Sequence, residues 1–109
     1  MIDLESLQRE ILEDGEEDYC GLYEIIWSLN TKYPDVDRQT KVESARIAFL
    51  PLAREGRVSL FESVWASSDY KPVSQADALR KLEDESVWSD PTEKPYLSYT
   101  TSPSAARAV

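Results

Sequence analysis

Leu22, Ile25, Ile26, Leu29 and Tyr33 recur at three- and four-residue intervals, the spacing that places side chains on one face of an α-helix. This stripe commits the segment from about Tyr19 to Tyr33 to an amphipathic helix that must bury one side against the rest of the chain. Pro34 closes it, because the residue before a proline is pushed out of the helical region. Upstream, Asp3 is a good N-cap and Leu4, Leu7 and Ile11 have helical spacing, so a first helix is expected from about Asp3 to Glu13, with Gly15 placed to end it. The run Glu13-Asp14-Gly15-Glu16-Glu17-Asp18 then reads as a solvated loop whose last carboxylates favour the start of the next helix. Downstream, Asp35 or Asp37 can cap a third helix from about Arg38 to Glu55. Gly56 suits its left-handed C-terminal cap, and Pro51 predicts a kink or break near Leu50.

The periodicity changes after Gly56. Val58 to Trp65 is rich in β-branched and aromatic residues and runs into the polar Ser67-Ser68-Asp69, which reads as a strand followed by a turn. Ser74 is an N-cap for a fourth helix reaching to about Glu85, with Asp77 near the position of a capping-box acid and Val73 and Ala78 at staple spacing. A loop from Ser89 to Pro95 precedes a second strand from Tyr96 to Thr101. The pattern predicts an α+β fold in one domain over residues 1–101, with a three-helix core, a small two-stranded sheet and an inserted fourth helix. The small residues of 102–109 read as a flexible tail.

Composition narrows the chemistry. Among 109 residues there is no histidine and one cysteine, Cys20, which removes imidazole bases, histidine-ligated metals, intrachain disulfides and thiolate zinc sites. Cys20 has Glu17 and Asp18 just before it, which raise a thiol pKa, so it reads as a small helix-start residue and not a nucleophile. Three glycines are too few for a phosphate-cradling loop. The acidic run fails as a calcium loop, because Gly15 falls at the third position where the sixth is needed. No catalytic residue, cofactor, metal ligand or small-molecule site is expected. Nor is a membrane span or a signal peptide, and the single cysteine fits a reducing, soluble, cytoplasmic setting.

The charge of -9 is unevenly spread. Residues 1–37 carry eleven acids against two bases, residues 38–57 five bases against two acids, and residues 58–109 eight acids against five bases. Only the middle segment can attract a polyanion, against a repulsive remainder. At ~100° per residue, Val42, Ala45, Phe49, Leu52 and Ala53 form the inward stripe of the third helix. Thr40, Glu43, Ser44, Ile47, Leu50 and Arg54 fall opposite, with Lys41 and Arg46 on the flanks. An anion and two aliphatics are poor chemistry for a DNA groove. Ile47 and Leu50 are either buried by other elements or form a face for a second polypeptide. Tyr23 and Trp27, four apart and off the main stripe of their helix, either pack on the first helix or join such a face. Trp65 and Trp88 read as closures of the core.

Three helices, the third ending in Leu52-Ala53-Arg54-Glu55-Gly56 and leading into Val58-Ser59-Leu60-Phe61, followed later by Tyr96-Leu97-Ser98-Tyr99-Thr100, are similar to a winged helix-turn-helix domain, as in some small bacterial proteins. The resemblance implies two wing strands and a third helix that reads DNA, which would engage Arg38, Lys41, Arg46 and Arg57. The chain departs from that pattern in its acidic charge and in the helix inserted between the wing strands. The leading expectation is therefore a non-enzymatic protein-interaction domain, acting by self-association or on a partner through Ile47, Leu50, Tyr23 and Trp27. A DNA-binding regulator is the first alternative, and an acidic inhibitor or immunity-type protein for a basic partner the second.

Overall fold

The structure, a computed structural model of the chain, describes residues 2–64, 69–89 and 96–102. It is α+β. Helix α1 spans Leu4–Glu17, a two-residue strand β1 is Cys20–Gly21, and helices α2 and α3 are Leu22–Lys32 and Arg38–Arg54. Strand β2 (Val58–Ser63), the short β3 (Lys71–Pro72), helix α4 (Gln75–Lys81), a 3-10 turn over Glu85–Trp88 and strand β4 (Tyr96–Thr101) complete it. The sheet is antiparallel in the order β1-β4-β2-β3.

The caps explain the helix starts. Asp3 accepts from the N–H groups of Glu5 and Ser6, Asp37 from Thr40 and Ser74 from Asp77, each satisfying donors that the first turn leaves unpaired. Gly56 ends α3 at φ 71°, where a residue with a Cβ is strained.

α1 continues through the acidic run, correcting the expected stop at Gly15. That glycine is buried because β4 crosses it closely: a Cβ there would lie 2.6 Å from Thr101 Oγ1 and 2.9 Å from the Thr101 backbone nitrogen. The Tyr99 hydroxyl donates to the Ile11 carbonyl at 2.8 Å and the Thr101 hydroxyl to that of Leu12 at 2.6 Å, fixing the helix to the strand. α3 likewise runs through Pro51 without a break in its helical assignment. The missing proline N–H would have served the carbonyl of Ile47, and Ile47 lies on the open side of the helix at 56% exposure.

Two further corrections concern the sheet and α4. Four strands replace the expected two, because Cys20 and Gly21 leave the helical pattern to pair with Tyr99 and Ser98, and Lys71 and Pro72 pair with Glu62 and Phe61. Cys20 is thus a strand residue facing the core, and α2 starts at Leu22. The fourth helix stops at Lys81 and gives way to the 3-10 turn. β2 ends at Ser63; Trp65, the turn at Ser67 and Ser68, most of the 89–95 loop and the tail beyond Ser102 lie outside the described residues.

The core joins both layers. Phe49 of α3 meets Trp88 edge-on at 6.0 Å and Tyr99 at 5.1 Å, and all three are fully buried with Leu22, Leu29, Leu52 and Leu82. Such edge-to-face pairs add about 0.5–1.5 kcal/mol each beyond area burial. Trp88 closes the core as its sequence context suggests. The segment from α4 to Trp88 packs along one flank of α3, α1 and α2 along the other, and among the described residues one arc of α3 remains uncovered.

Candidate interaction face

That uncovered arc is built by helical geometry. At ~100° per residue, the buried residues Lys41, Val42, Ala45, Ala48, Phe49, Leu52 and Ala53 cluster around one direction. Thr40, Glu43, Ile47, Leu50 and Arg54 then follow one another at intervals of three and four on the other side. Ile47 is the most exposed large hydrophobic residue among those described, at 56%. Leu50 is half-buried, its side chain packed partly on the core, while Thr40, Glu43 and Arg54 are exposed. The sequence alternative in which Ile47 is covered by other elements does not hold.

The cations of the DNA alternative are dispersed. Lys41, expected on the flank of the open face, is buried at 5% exposure and donates from Nζ to Asn30 Oδ1 of α2 at 3.0 Å. Arg38 Nη2 donates to Ser89 Oγ at 2.9 Å and Arg46 Nη1 to the Glu83 carbonyl at 3.4 Å, so both turn toward the segment that follows α4. Arg57 is half-buried and lines an open groove of about 570 Å³ whose α1 wall carries Glu5, Arg9, Glu13 and Glu16. The structure therefore does not bring Arg38, Lys41, Arg46 and Arg57 to one surface.

Tyr23 and Trp27 sit elsewhere. Tyr23 is 8% exposed, which corrects its placement as an open contact residue, and Trp27 is 46% exposed. Their rings meet edge-on at 4.8 Å, and Tyr23 also meets Tyr96 at 5.8 Å, so the pair packs toward β4. Burial pushes the Tyr23 hydroxyl pKa up to about 12, with the Glu24 carboxylate adding to it. Tyr19 stacks on Tyr70 at 3.8 Å and meets Phe61 edge-on at 5.0 Å. Sequence reasoning missed Tyr19, Phe61, Tyr70 and Tyr96, because they come from separate segments with no shared period. The available signal was the alternation of β2 and β4, which places Phe61 and Tyr96 on the face away from Leu60 and Tyr99. Ser98 lies on that same outward face, opposite Phe61, and its hydroxyl is buried without a hydrogen-bond partner.

The titratable groups near the core are quiet. Burial, reinforced by Glu24 and Asp14, pushes the Cys20 thiol up to about 12, which removes it as a nucleophile near neutral pH. Burial and the neighbouring Glu10 and Glu13 raise the Asp14 pKa. Partial burial opposes ionisation of Glu10, yet the bonds from Lys32 and Ser28 hold its pKa below the usual value. Among the described residues there is no group of acids and cysteine arranged to hold a metal ion, and no helix is long and apolar enough to cross a membrane. Comparison with protein-family models, with curated proteins and with solved structures returns no match to this chain.

Proposed function

We propose that the chain is a non-enzymatic protein-interaction domain whose working surface is the open face of α3. The observation that carries this reading is the exchange of positions along that helix: Ile47 points outward at 56% exposure while Lys41 is buried at 5%. A groove-reading helix needs the opposite arrangement, with cations outward to meet phosphates and bases. A face made of Glu43, Ile47, Leu50 and Arg54 instead has the mixture typical of contacts between polypeptides, an apolar centre with charges at the margin. The order of elements, with β1 between α1 and α2 and β4 lying between β1 and β2, supports the winged helix-turn-helix resemblance. In this reading the domain is a variant in which the segment between the wing strands has taken over Arg38 and Arg46 as internal ties.

The test is a benzophenone side chain introduced at position 47 and activated in cells. Covalent adducts with polypeptide, in excess of those from the same probe at exposed position 85, are expected. Adducts with nucleic acid, or a duplex whose salt-sensitive binding is lost on Arg54→Glu, would refute the proposal.

A further inference from the structure

The open stripe of α3 is complementary to itself, and we infer that its partner is a second copy of this chain, paired through α3 in antiparallel orientation. This inference rests on the reading of the α3 face as a polypeptide-binding surface and names the polypeptide.

The argument is one of register. Glu43, Ile47, Leu50 and Arg54 are separated by four, three and four residues, the spacing of a heptad seam that keeps facing a partner helix. In an antiparallel pair related by a two-fold axis, each residue faces the one equally far from the axis on the other helix. With the axis between Ala48 and Phe49, Ile47 of one copy faces Leu50 of the other, and Glu43 faces Arg54. The two-fold axis repeats both relations, giving two apolar layers in the middle and an oppositely charged pair at each end.

The surroundings permit this approach. Glu43 and Arg54 are exposed and take part in none of the ion pairs among the described residues, which join Lys32 to Glu10, Arg80 to Asp77 and Lys81 to Glu62. Gln39, Thr40 and Ser44 border the seam with polar side chains, as expected at a rim, and the half-buried Pro51 lies beside Ile47. A parallel pair would set Glu43 against Glu43 and Arg54 against Arg54, so the end charges select the antiparallel arrangement.

A seam of four layers is small for a stable interface, and the affinity expected is roughly micromolar. Sedimentation of the full chain from about 1 µM to about 300 µM brackets that value. The wild type should pass from the mass of one chain, 12.4 kDa, to twice that mass. Glu43→Arg alone places arginine against arginine at both ends, and Arg54→Glu alone places glutamate against glutamate. Each should weaken association at least about tenfold, more strongly at low salt. An equimolar mixture of these two variants restores opposite charges at both ends and should form mixed dimers, as should the double variant with itself. Ile47→Asp should remain monomeric with an unchanged far-ultraviolet spectrum.

A wild type that keeps the mass of one chain throughout overturns the inference, and so does a mixture that associates no better than either variant alone. If the wild type is monomeric while the probe at position 47 still captures another polypeptide, the self-pairing falls and the interaction domain stands. If neither association nor polypeptide adducts are found, both fall.

Discussion

Replacing Gly15 with alanine sets helix propensity against packing, and the structure decides which wins. Gly15 lies inside α1, where alanine is intrinsically better than glycine by up to about 1 kcal/mol. The added Cβ, however, would lie 2.6 Å from Thr101 Oγ1, 2.8 Å from Tyr99 Cε2 and 2.9 Å from the Thr101 backbone nitrogen. The backbone atom cannot yield without moving β4, and the Tyr99 ring is fully buried. Overpacking of this kind costs about 1–3 kcal/mol. Relief by lifting α1 off the strand would stretch the bonds from Tyr99 to Ile11 and from Thr101 to Leu12, and leaving the buried tyrosine hydroxyl unpaired costs about 1–3 kcal/mol more. The net expectation is a loss of about 2 kcal/mol or more. In urea unfolding followed by circular dichroism, with a slope of roughly 1–2 kcal/mol per molar, the midpoint should fall by about 1 M or more. Gly56→Ala is the control, since its Cβ would meet nothing within 4 Å and its cost of about 1 kcal/mol comes from the positive φ alone. A Gly15→Ala midpoint equal to or above the wild type would show that α1 does not pack closely on β4 and would refute the argument.

Two further expectations concern charge inside and beside the core. Lys41→Met should change stability by no more than about 1 kcal/mol, because a thioether of similar size replaces a buried ammonium and the exposed Asn30 can turn to water. A loss above about 2 kcal/mol in urea unfolding would instead make the Lys41–Asn30 bond a necessary tie between α2 and α3. Glu10→Gln should cost about 0.5–1 kcal/mol at pH 7, the worth of a partly exposed carboxylate bridging Lys32 and Ser28. The Glu10 pKa is lowered in the folded chain from 4.5, so its contribution is present above that value and is lost as pH falls through the folded value. The difference between the melts of wild type and variant should therefore shrink as the pH is lowered below 4.5 and through the folded value, and a difference that stays undiminished in acid would show that the carboxylate charge is not the cause.

Local chemistry was legible wherever it acts over a few residues. The caps at Asp3 and Ser74, a cap at Asp35 or Asp37, the positive-φ glycine at Gly56 and the strand from Tyr96 to Thr101 all follow from neighbouring side chains. Val42, Ala45, Phe49, Leu52 and Ala53 could be placed in the core from spacing alone, as could Ile47 on the opposite side. What escaped depends on distant partners. Gly15 looks like a helix stop until β4, some 85 residues later, demands a residue without a side chain beneath Thr101. β1 is too short to show a period, and it exists because Tyr99 and Ser98 supply its ladder. Lysine is usually exposed, and the spacing puts Lys41 only on a flank; its burial needs Asn30 on α2, an acceptor that no pattern within α3 reveals. The acceptors of Arg38 and Arg46 lie after α4, equally beyond the reach of any pattern within α3.

These last residues connect the fold to the face proposed for association. A helix with apolar residues on two sides is ordinarily one buried on both, and the sequence of α3 alone could not separate that case from an interface helix. The exposure of Ile47, 56%, favours the second case. By running along one flank of α3, the segment from α4 to Ser89 takes the Arg38 and Arg46 side chains as donors and places Trp88 against Phe49. α1 and α2 occupy the other flank, and Lys41 is drawn to Asn30. Every cation of α3 except Arg54 is thereby committed within the domain. The remaining arc has Ile47 at its centre, and Arg54 is the one positive charge left to answer Glu43. Removing the Arg46 tie to the Glu83 carbonyl tests whether this flank and the open face are independent. Arg46→Ala should leave the seam residues and the self-association intact, because Arg46 belongs to the flank and not to the stripe.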